Sequence, residues 1–181
     1  MKEAHKQLIN MAIAQEVMVS FDPNLRFSLW DDLNQLKRTV NDFLPYADII
    51  KISDEELEFI TGHTNIEEAA AELFKGRAKY VIYTKGKDGA EIHTKDGVVE
   101  ASGYSVEVRD TTGAGDSFIG AFIYCILKDD VKDLNAVSKD KLYEYLDFAN
   151  AYAANTTTKE GALAAMASAE EMESWMKELK K

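Results

Sequence analysis

Short apolar segments alternate with stretches of helical periodicity through the first 84 residues of the chain. Residues 17–21, 47–52 and 80–83 are the apolar segments, each of a length typical of a buried strand. The helical stretches are residues 3–15, 30–43, 55–61 and 66–74, the last with Thr64 or Asn65 as its cap. Buried strands separated by helices predict a mostly parallel sheet flanked by helices, because right-handed crossovers place helices on both faces. We therefore expect a doubly wound α/β fold.

The pattern changes after Thr84. Residues 90–93, 97–100 and 104–108 alternate apolar and polar side chains, with a turn signal at 95–97, and predict three short strands at an antiparallel edge. From Ala114 onward the periodicity is helical, with one helix through Leu127, one or two across residues 138–156, and an amphipathic one over 168–180. Without a repeat or a linker, residues 1–181 are expected to form a single domain.

Charge and composition restrict the function classes. The net charge of −11 at pH 7, without a cluster of Lys and Arg, argues against a nucleic-acid partner. Because a negatively charged protein repels anions, a phosphate ligand would then need a locally favourable site, formed by backbone amides, a helix amino terminus or a metal ion. The lone Cys125 lies in an apolar run, which excludes a disulfide framework and favours a reducing compartment.

Neither a membrane span nor a signal peptide is indicated. Apolar stretches stay well below the roughly 20 residues of a span, and the amino terminus lacks the apolar core of a leader. We therefore expect a cytoplasmic protein without a membrane partner. His5, His63 and His93 have no ligand partner at metal-binding spacing and are expected at the surface.

The segment Asp110–Thr111–Thr112–Gly113–Ala114–Gly115–Asp116 leads directly into an apolar helix and carries the clearest chemistry. Small residues at 113–115 allow backbone amides to approach an anion closely, and the helix start adds a partial positive charge. A carboxylate at Asp116, beside that anion, suits a general base that accepts a proton from an attacking hydroxyl. The alternative is that Asp116 only complements the helix dipole and that Asp110 only begins a turn.

Two familiar nucleotide motifs are absent. A dinucleotide-binding fingerprint would need a third glycine where Phe118 stands, and no G-x-x-x-x-G-K-[ST] sequence occurs. Hydride transfer and P-loop chemistry are therefore disfavoured.

The segment 110–116 resembles the carboxyl-terminal signature of the ribokinase-like, PfkB-type carbohydrate kinases, and this resemblance runs over nearly the whole chain. The resemblance implies a sugar kinase that uses ATP and Mg²⁺ and, in many members, K⁺. It implies that the amides of Gly113, Ala114 and Gly115 form an anion hole and that Asp116 deprotonates a sugar hydroxyl.

Other segments resemble the family's substrate and phosphate elements. Residues 21–26 resemble the corresponding segment of fructokinases and 2-keto-3-deoxygluconate kinases, which places Asp22, Asn24 and Arg26 near the substrate and the phosphates. A turn with a surface Arg is the alternative. Residues 53–56 stand where the family has N-x-x-E, so Glu56 is implied to act on Mg²⁺ through water. Ser53 replaces the usual Asn, and a helix cap is the alternative role for it.

The nucleotide and cation elements follow along the chain. Residues 84–89 resemble the family's T-x-G-x-x-G turn along the nucleotide phosphates, a hairpin turn being the alternative. The implied nucleotide residues are Ser53, Thr84, Lys85, Gly86 and Gly89, with Asn150 near the adenine. The residues implied to hold a monovalent cation, mostly through backbone carbonyls, are Asp110, Thr112, Thr156, Lys159 and Gly161.

Family members are usually much longer. What precedes Glu3 in them supplies opening strands, most sugar-binding residues and a small β lid, which the resemblance implies are missing here. An exposed sheet edge would favour self-association or a partner that covers it. Two other functions stay open, namely a nucleotide-binding module without catalysis and a vitamin kinase of the same fold acting on pyridoxal or hydroxymethylpyrimidine.

Overall fold

A computed structural model describes residues 2–179 and divides the chain into two compact units. The first unit runs to Thr84 and includes Ile92–Val98. The second comprises Lys85–Glu91 and the chain from Val99 onward. We describe each unit by itself.

Helices and strands alternate up to Thr84, which confirms the α/β expectation. The elements, in chain order, are α1 (Lys2–Ala14), β1 (Ser20–Phe21), α2 (Leu33–Phe43), β2 (Ile49–Ser53), α3 (Asp54–Thr61), α4 (Ile66–Leu73) and β3 (Tyr80–Thr84). The Asn65 side chain caps α4 by accepting the Glu67 N–H at 2.7 Å, as one of the two predicted caps would. Asp32 caps α2 in the same way.

Two strands and three helices follow. They are β4 (Gly89–Thr94), β5 (Gly97–Ser102), α5 (Ala114–Lys128), α6 (Lys139–Thr157) and α7 (Ala169–Leu179). The predicted helical region near residues 138–156 is therefore one helix, capped by Ser138.

The strands form one five-stranded sheet in the order β1-β2-β3-β4-β5. The pairs β1–β2 and β2–β3 are parallel, with Ser20 opposite Ile49 and Ser53 opposite Thr84. The connections from β3 to β4 and from β4 to β5 are too short for a crossover, so these neighbours run antiparallel. The result is the mixed, mostly parallel sheet that the sequence predicts.

The core of the first unit joins the sheet to its helices. Ile50, Ile52 and Val81 are fully buried from solvent and share one apolar cluster with Leu57 of α3 and Ala69 of α4. Burial of an Ile or Leu side chain contributes about 1.5–3 kcal/mol relative to exposure. This packing therefore fixes where the carboxyl ends of β1, β2 and β3 lie.

In the second unit α5 packs along α6. Phe122 is fully buried and meets the Tyr145 ring edge-on at 6.1 Å. A further cluster joins α6 to α7 through Ala151 and Met172. The start of α5 is thus held on a well-packed helix pair.

Three sequence predictions are wrong. Residues 104–108 form no strand, because the chain leaves the sheet after Ser102 and runs toward the end of α6. The first strand is two residues long. Val17 does not join it, because the Val17 N–H donates to Ala12 O in the turn that follows α1. His93 is buried on β4 and not at the surface. Within residues 2–179 no helix is long and apolar enough to span a membrane.

Candidate active site

The carboxyl ends of three parallel strands bring together several predicted residues of the first unit. Ser53 and Thr84 end β2 and β3 and lie opposite each other in register. Asp22 follows the last residue of β1. In open α/β sheets ligands bind outside the carboxyl ends of the strands. This edge is therefore the expected location of a ligand in the first unit.

The turn after β1 has an unusual electrostatic environment. Asp22 Oδ2 pairs with Lys51 Nζ at 2.9 Å, and the two side chains are only 16% and 7% exposed. Burial raises the pKa of Asp22, and the Lys51 charge only partly offsets this effect. Asp22 Oδ1 is buried without a hydrogen bond of normal geometry, although the Asn24 N–H interacts with the carboxylate and lowers its pKa to a smaller extent. Two residues later Asn24 adopts a left-handed φ of 43°, which an Asn tolerates better than most residues.

Glu56 connects this turn to α3. It is 8% exposed, and its two oxygens accept the N–H groups of Leu25 at 3.1 Å and of Ser53 at 2.9 Å. Ser53 is the N-cap of α3. The geometry therefore supports its alternative role as a helix cap. A carboxylate has lone pairs beyond these two bonds, and the association of Glu56 with Mg²⁺ stays a prediction.

Contacts within the protein account for the conformation of the turn at residues 85–89. Lys85 N–H donates to Gly89 O at 2.8 Å, and Lys85 Nζ contacts Glu91 and Glu100 at 2.7 and 2.6 Å. Burial lowers the pKa of Lys85, but the hydrogen bonds to Glu100 and Glu91 outweigh it and raise that pKa overall. Gly89 is required because a Cβ there would clash with the Ala101 carbonyl oxygen. Two carboxylates thus already neutralise the Lys85 charge.

The loop before α5 is fastened to the end of α6. Arg109 and Asp110 both donate their N–H groups to Thr157 O, at 2.8 and 3.2 Å. The Asp110 carboxylate accepts the N–H groups of Thr112 at 2.9 Å and Gly161 at 3.0 Å. The bonds from Thr112 and then from Gly161 lower the pKa of Asp110. Asp110 is therefore a structural organiser of this loop, whatever else its backbone binds.

The start of α5 presents unpaired donors. Gly113 is the N-cap with φ 79°, and the N–H of Ala114 bonds to Thr111 O at 3.2 Å. Within the described residues the N–H groups of Gly115 and Asp116 find no acceptor. The Asp116 carboxylate lies exposed in the same first turn. Free N–H groups and a helix dipole favour an anion, and the carboxylate supplies a base beside it.

A cavity of about 300 Å³ in the second unit begins at this turn. Asp116 and Gly120 lie on its α5 side, and Phe148 and Tyr152 on its α6 side. Tyr124 also lines it, with its ring centroid 6.1 Å from that of Phe148. These aromatic residues were not predicted as site residues from the sequence. The i, i+4 spacing of Phe148 and Tyr152 on one helix was the available signal.

The remaining predicted residues have defined positions. Asn150 is buried and donates to Ala101 O at 3.0 Å and Ser102 O at 3.3 Å, so its amide holds α6 to the end of β5. Thr156 is buried and bonds to Tyr152 O. Lys159 and Gly161 follow α6, with Gly161 at φ 89°. Their contacts with nucleotide or cation stay predictions.

Comparison with known proteins gives a consistent result. The family model described as pfkB family carbohydrate kinase matches residues 1–169. A fructokinase-2 of Solanum lycopersicum is 38% identical over 173 residues, which cover 94% of this chain and 51% of that protein. The chain therefore spans about half the length of the curated relatives it matches.

Solved structures agree. A fructokinase with bound ATP from Xylella fastidiosa superposes with a TM-score of 0.90 at 26% identity, over 99% of this chain and 58% of that one. A fructokinase from Vibrio cholerae O395, solved with fructose, ADP and a calcium ion, gives 0.83 at 31% identity over 96% and 55%.

The fold is thus that of ribokinase-like kinases. The chain belongs to the pfkB family of carbohydrate kinases.

Proposed function

We propose that the chain binds ATP and acts in phosphoryl transfer from ATP to a sugar hydroxyl, with fructose as the acceptor. The observation that carries this proposal is the start of α5, where unpaired N–H groups and the exposed Asp116 carboxylate share one helical turn. The fructokinases among the relatives support the choice of acceptor.

The roles follow from charge. The N–H groups of Gly115 and Asp116, with the helix dipole, stabilise negative charge on the transferred group. The Asp116 carboxylate accepts the hydroxyl proton as the acceptor oxygen attacks, a contribution of about 10²–10⁴-fold in rate. The apolar cavity beside Asp116 has the size and lining of a small-molecule site.

Each unit contains residues whose chemistry fits ATP and its metal ion. Bound Mg²⁺–ATP would supply the phosphoryl group, with the metal neutralising the phosphate charge. In the first unit Glu56 would hold metal-bound water, and the exposed Arg26 offers a planar donor fork to phosphate. In the second unit the 110–112 loop and residues 156–161 would hold a monovalent cation such as K⁺ through backbone carbonyls. The hydrogen bonds from Arg109 and Asp110 to Thr157 O hold these two segments next to each other, which supports that assignment.

A substitution of Asp116 tests the proposed function. Calorimetric titration of Mg²⁺–ATP into the chain should give saturable binding, and fructose should stimulate ADP release. Asp116→Asn should lower kcat by a factor of about 10² or more and leave ATP affinity nearly unchanged, because only the proton acceptor is lost. The matched control is Asp130→Asn, an exposed carboxylate just after α5 where φ is 49° and Asn fits.

The outcomes separate the alternatives. ATP binding without fructose-dependent ADP release would favour a nucleotide-binding module, and turnover with pyridoxal or hydroxymethylpyrimidine in place of fructose would favour a vitamin kinase. Equal kcat for Asp116→Asn and Asp130→Asn would leave Asp116 as a residue that only complements the helix dipole. Absence of any ATP binding would contradict the proposal as a whole.

We also propose that the chain self-associates through α1. No residue of α1 is buried, and Leu8 and Met11, which share one helix face, are 64% and 61% exposed. The short β1 strand lies at an edge of the sheet. Sedimentation at several concentrations should show association that Leu8→Lys with Met11→Lys weakens. Leu127→Lys, at an apolar residue 72% exposed on α5, should leave it unchanged.

A further inference from the structure

Lys51 is a charged residue inside a strand. It lies in the middle of β2. Its side chain is 7% exposed, and its Nζ lies 2.9 Å from Asp22 Oδ2. Taking both charges out of water is costly, and a hydrophobic pair would often be at least as stable. A buried pair at this place therefore suggests a role beyond stability.

The pair is one of two attachments of the same turn. Lys51 holds the turn at Asp22, where it leaves β1, and Glu56 holds it at the Leu25 N–H, at 3.1 Å. Between these points Pro23 has no N–H to donate and Asn24 has a left-handed backbone. Within the turn, among the described residues, only the Asn24 N–H interacts with a carboxylate, that of Asp22, which is itself the residue that Lys51 holds. Its shape therefore depends on the two attachments.

We infer that Lys51 is a positioning residue, which together with Glu56 fixes the turn 22–26 and thereby presents Arg26 at the carboxyl edge of the sheet. Arg26 is exposed, and within residues 2–179 its guanidinium makes no hydrogen bond or ion pair. The effect of Lys51 on the conformation of the turn does not depend on a ligand. Its consequence for a phosphate ligand rests on the proposed function.

The test compares the Lys51–Asp22 ion pair with a second ion pair near the start of β2. Lys51→Met removes one charge and keeps the side-chain length. The control is Arg77→Met. Arg77 pairs with Asp48 at 3.0 Å, and Asp48 directly precedes β2, so this pair lies at the amino end of that strand. Amide hydrogen exchange of Leu25, measured by NMR on the full chain, reports whether the turn stays closed. A third variant, Asp22→Asn with Lys51→Met, removes the unpaired buried charge that Lys51→Met alone leaves.

Lys51→Met should accelerate Leu25 exchange about tenfold or more, because the turn opens locally. Arg77→Met should not. In the double variant thermal stability should recover while Leu25 exchange stays fast, which a purely structural pair would not produce. Slow Leu25 exchange in the double variant, or equal exchange in Lys51→Met and Arg77→Met, would overturn the inference.

Titration with Mg²⁺–ATP tests the consequence separately. Lys51→Met should weaken ATP affinity several-fold, and unchanged affinity with a loosened turn would refute the positioning of Arg26. If the unmodified chain does not bind ATP, the proposed function fails, while the exchange comparison still decides whether Lys51 holds the turn.

Discussion

Two glycines of α5 should respond to the same substitution with opposite signs. Gly113 is the N-cap with φ 79°, and a Cβ there would lie 3.3 Å from Cα and Cβ of Ala162. Gly120 is inside the helix, and a Cβ there would meet nothing within 4 Å. Gly113→Ala therefore introduces strain and crowding, whereas Gly120→Ala only improves helix propensity.

The magnitudes follow from the backbone. A left-handed conformation costs an alanine about 1–2 kcal/mol, and the crowding against Ala162 adds to this. Loss of conformational freedom in the unfolded chain gives back about 0.4–1 kcal/mol at either position. We expect Gly113→Ala to lower the free energy of unfolding by about 1–2 kcal/mol and Gly120→Ala to raise it by about 0.5–1 kcal/mol. Because both changes are Gly to Ala, the unfolded-state contribution cancels in the comparison.

Urea unfolding followed by far-ultraviolet circular dichroism measures the difference. With a slope of about 1–3 kcal/mol per molar urea, the two midpoints should differ by about 1 M. Equal midpoints would refute the reasoning, since they would mean that the backbone at Gly113 adapts to a side chain without strain. A destabilised Gly120→Ala variant would instead show that a methyl group at residue 120 disturbs the packing around α5.

Two further predictions concern the second unit. The folded state lowers the pKa of Asp110 below its ordinary value of 3.8, so ionised Asp110 stabilises the fold above that value and its contribution is lost as the pH falls through the folded pKa. Asp110→Asn should therefore be less stable than the unmodified chain at neutral pH, and urea midpoints should converge on acidification; a gap that is constant with pH would contradict this. Tyr104→Phe removes a 2.8 Å hydrogen bond to Asp147 and should cost about 1–3 kcal/mol in urea unfolding, whereas Tyr143→Phe, at an exposed tyrosine, should stay within about 0.5 kcal/mol. Similar losses for the two tyrosines would argue against the role of that bond.

The sequence predicted most elements because burial and periodicity agree in them. Ile49, Ile50 and Ile52 are each fully buried, as a strand covered on both faces requires. The error at residues 104–108 has a different origin. Val108 is 56% exposed, and the segment leads to the bonds that Arg109 and Asp110 make with Thr157 O. Alternating polarity cannot distinguish a strand from an extended connection whose partners lie far along the chain.

The site was predicted unevenly for a similar reason. The glycines and Asp116 could be predicted because a helix start next to small residues is a local signal in sequence. The pairing of Asp22 with Lys51 could not, because 29 residues separate them and only the β1–β2 register brings them together. Long-range polar contacts of this kind leave no periodic trace.

Asp48 and Asp22, at opposite ends of β1 and β2, differ in how completely their carboxylates are hydrogen-bonded. Asp48, beside the first residue of β2, has both oxygens occupied, one by Arg77 at 3.0 Å and one by the Val19 N–H at 2.9 Å. Asp22, at the other ends of these strands, has one oxygen on Lys51, and its other oxygen is buried without a hydrogen bond of normal geometry. A buried oxygen left unpaired costs stability, and folds retain such groups mainly where a ligand or a reaction uses them. Since Asp48 shows that this sheet can saturate a buried carboxylate, the less complete hydrogen bonding of Asp22 supports the ligand site proposed at the carboxyl ends of the strands.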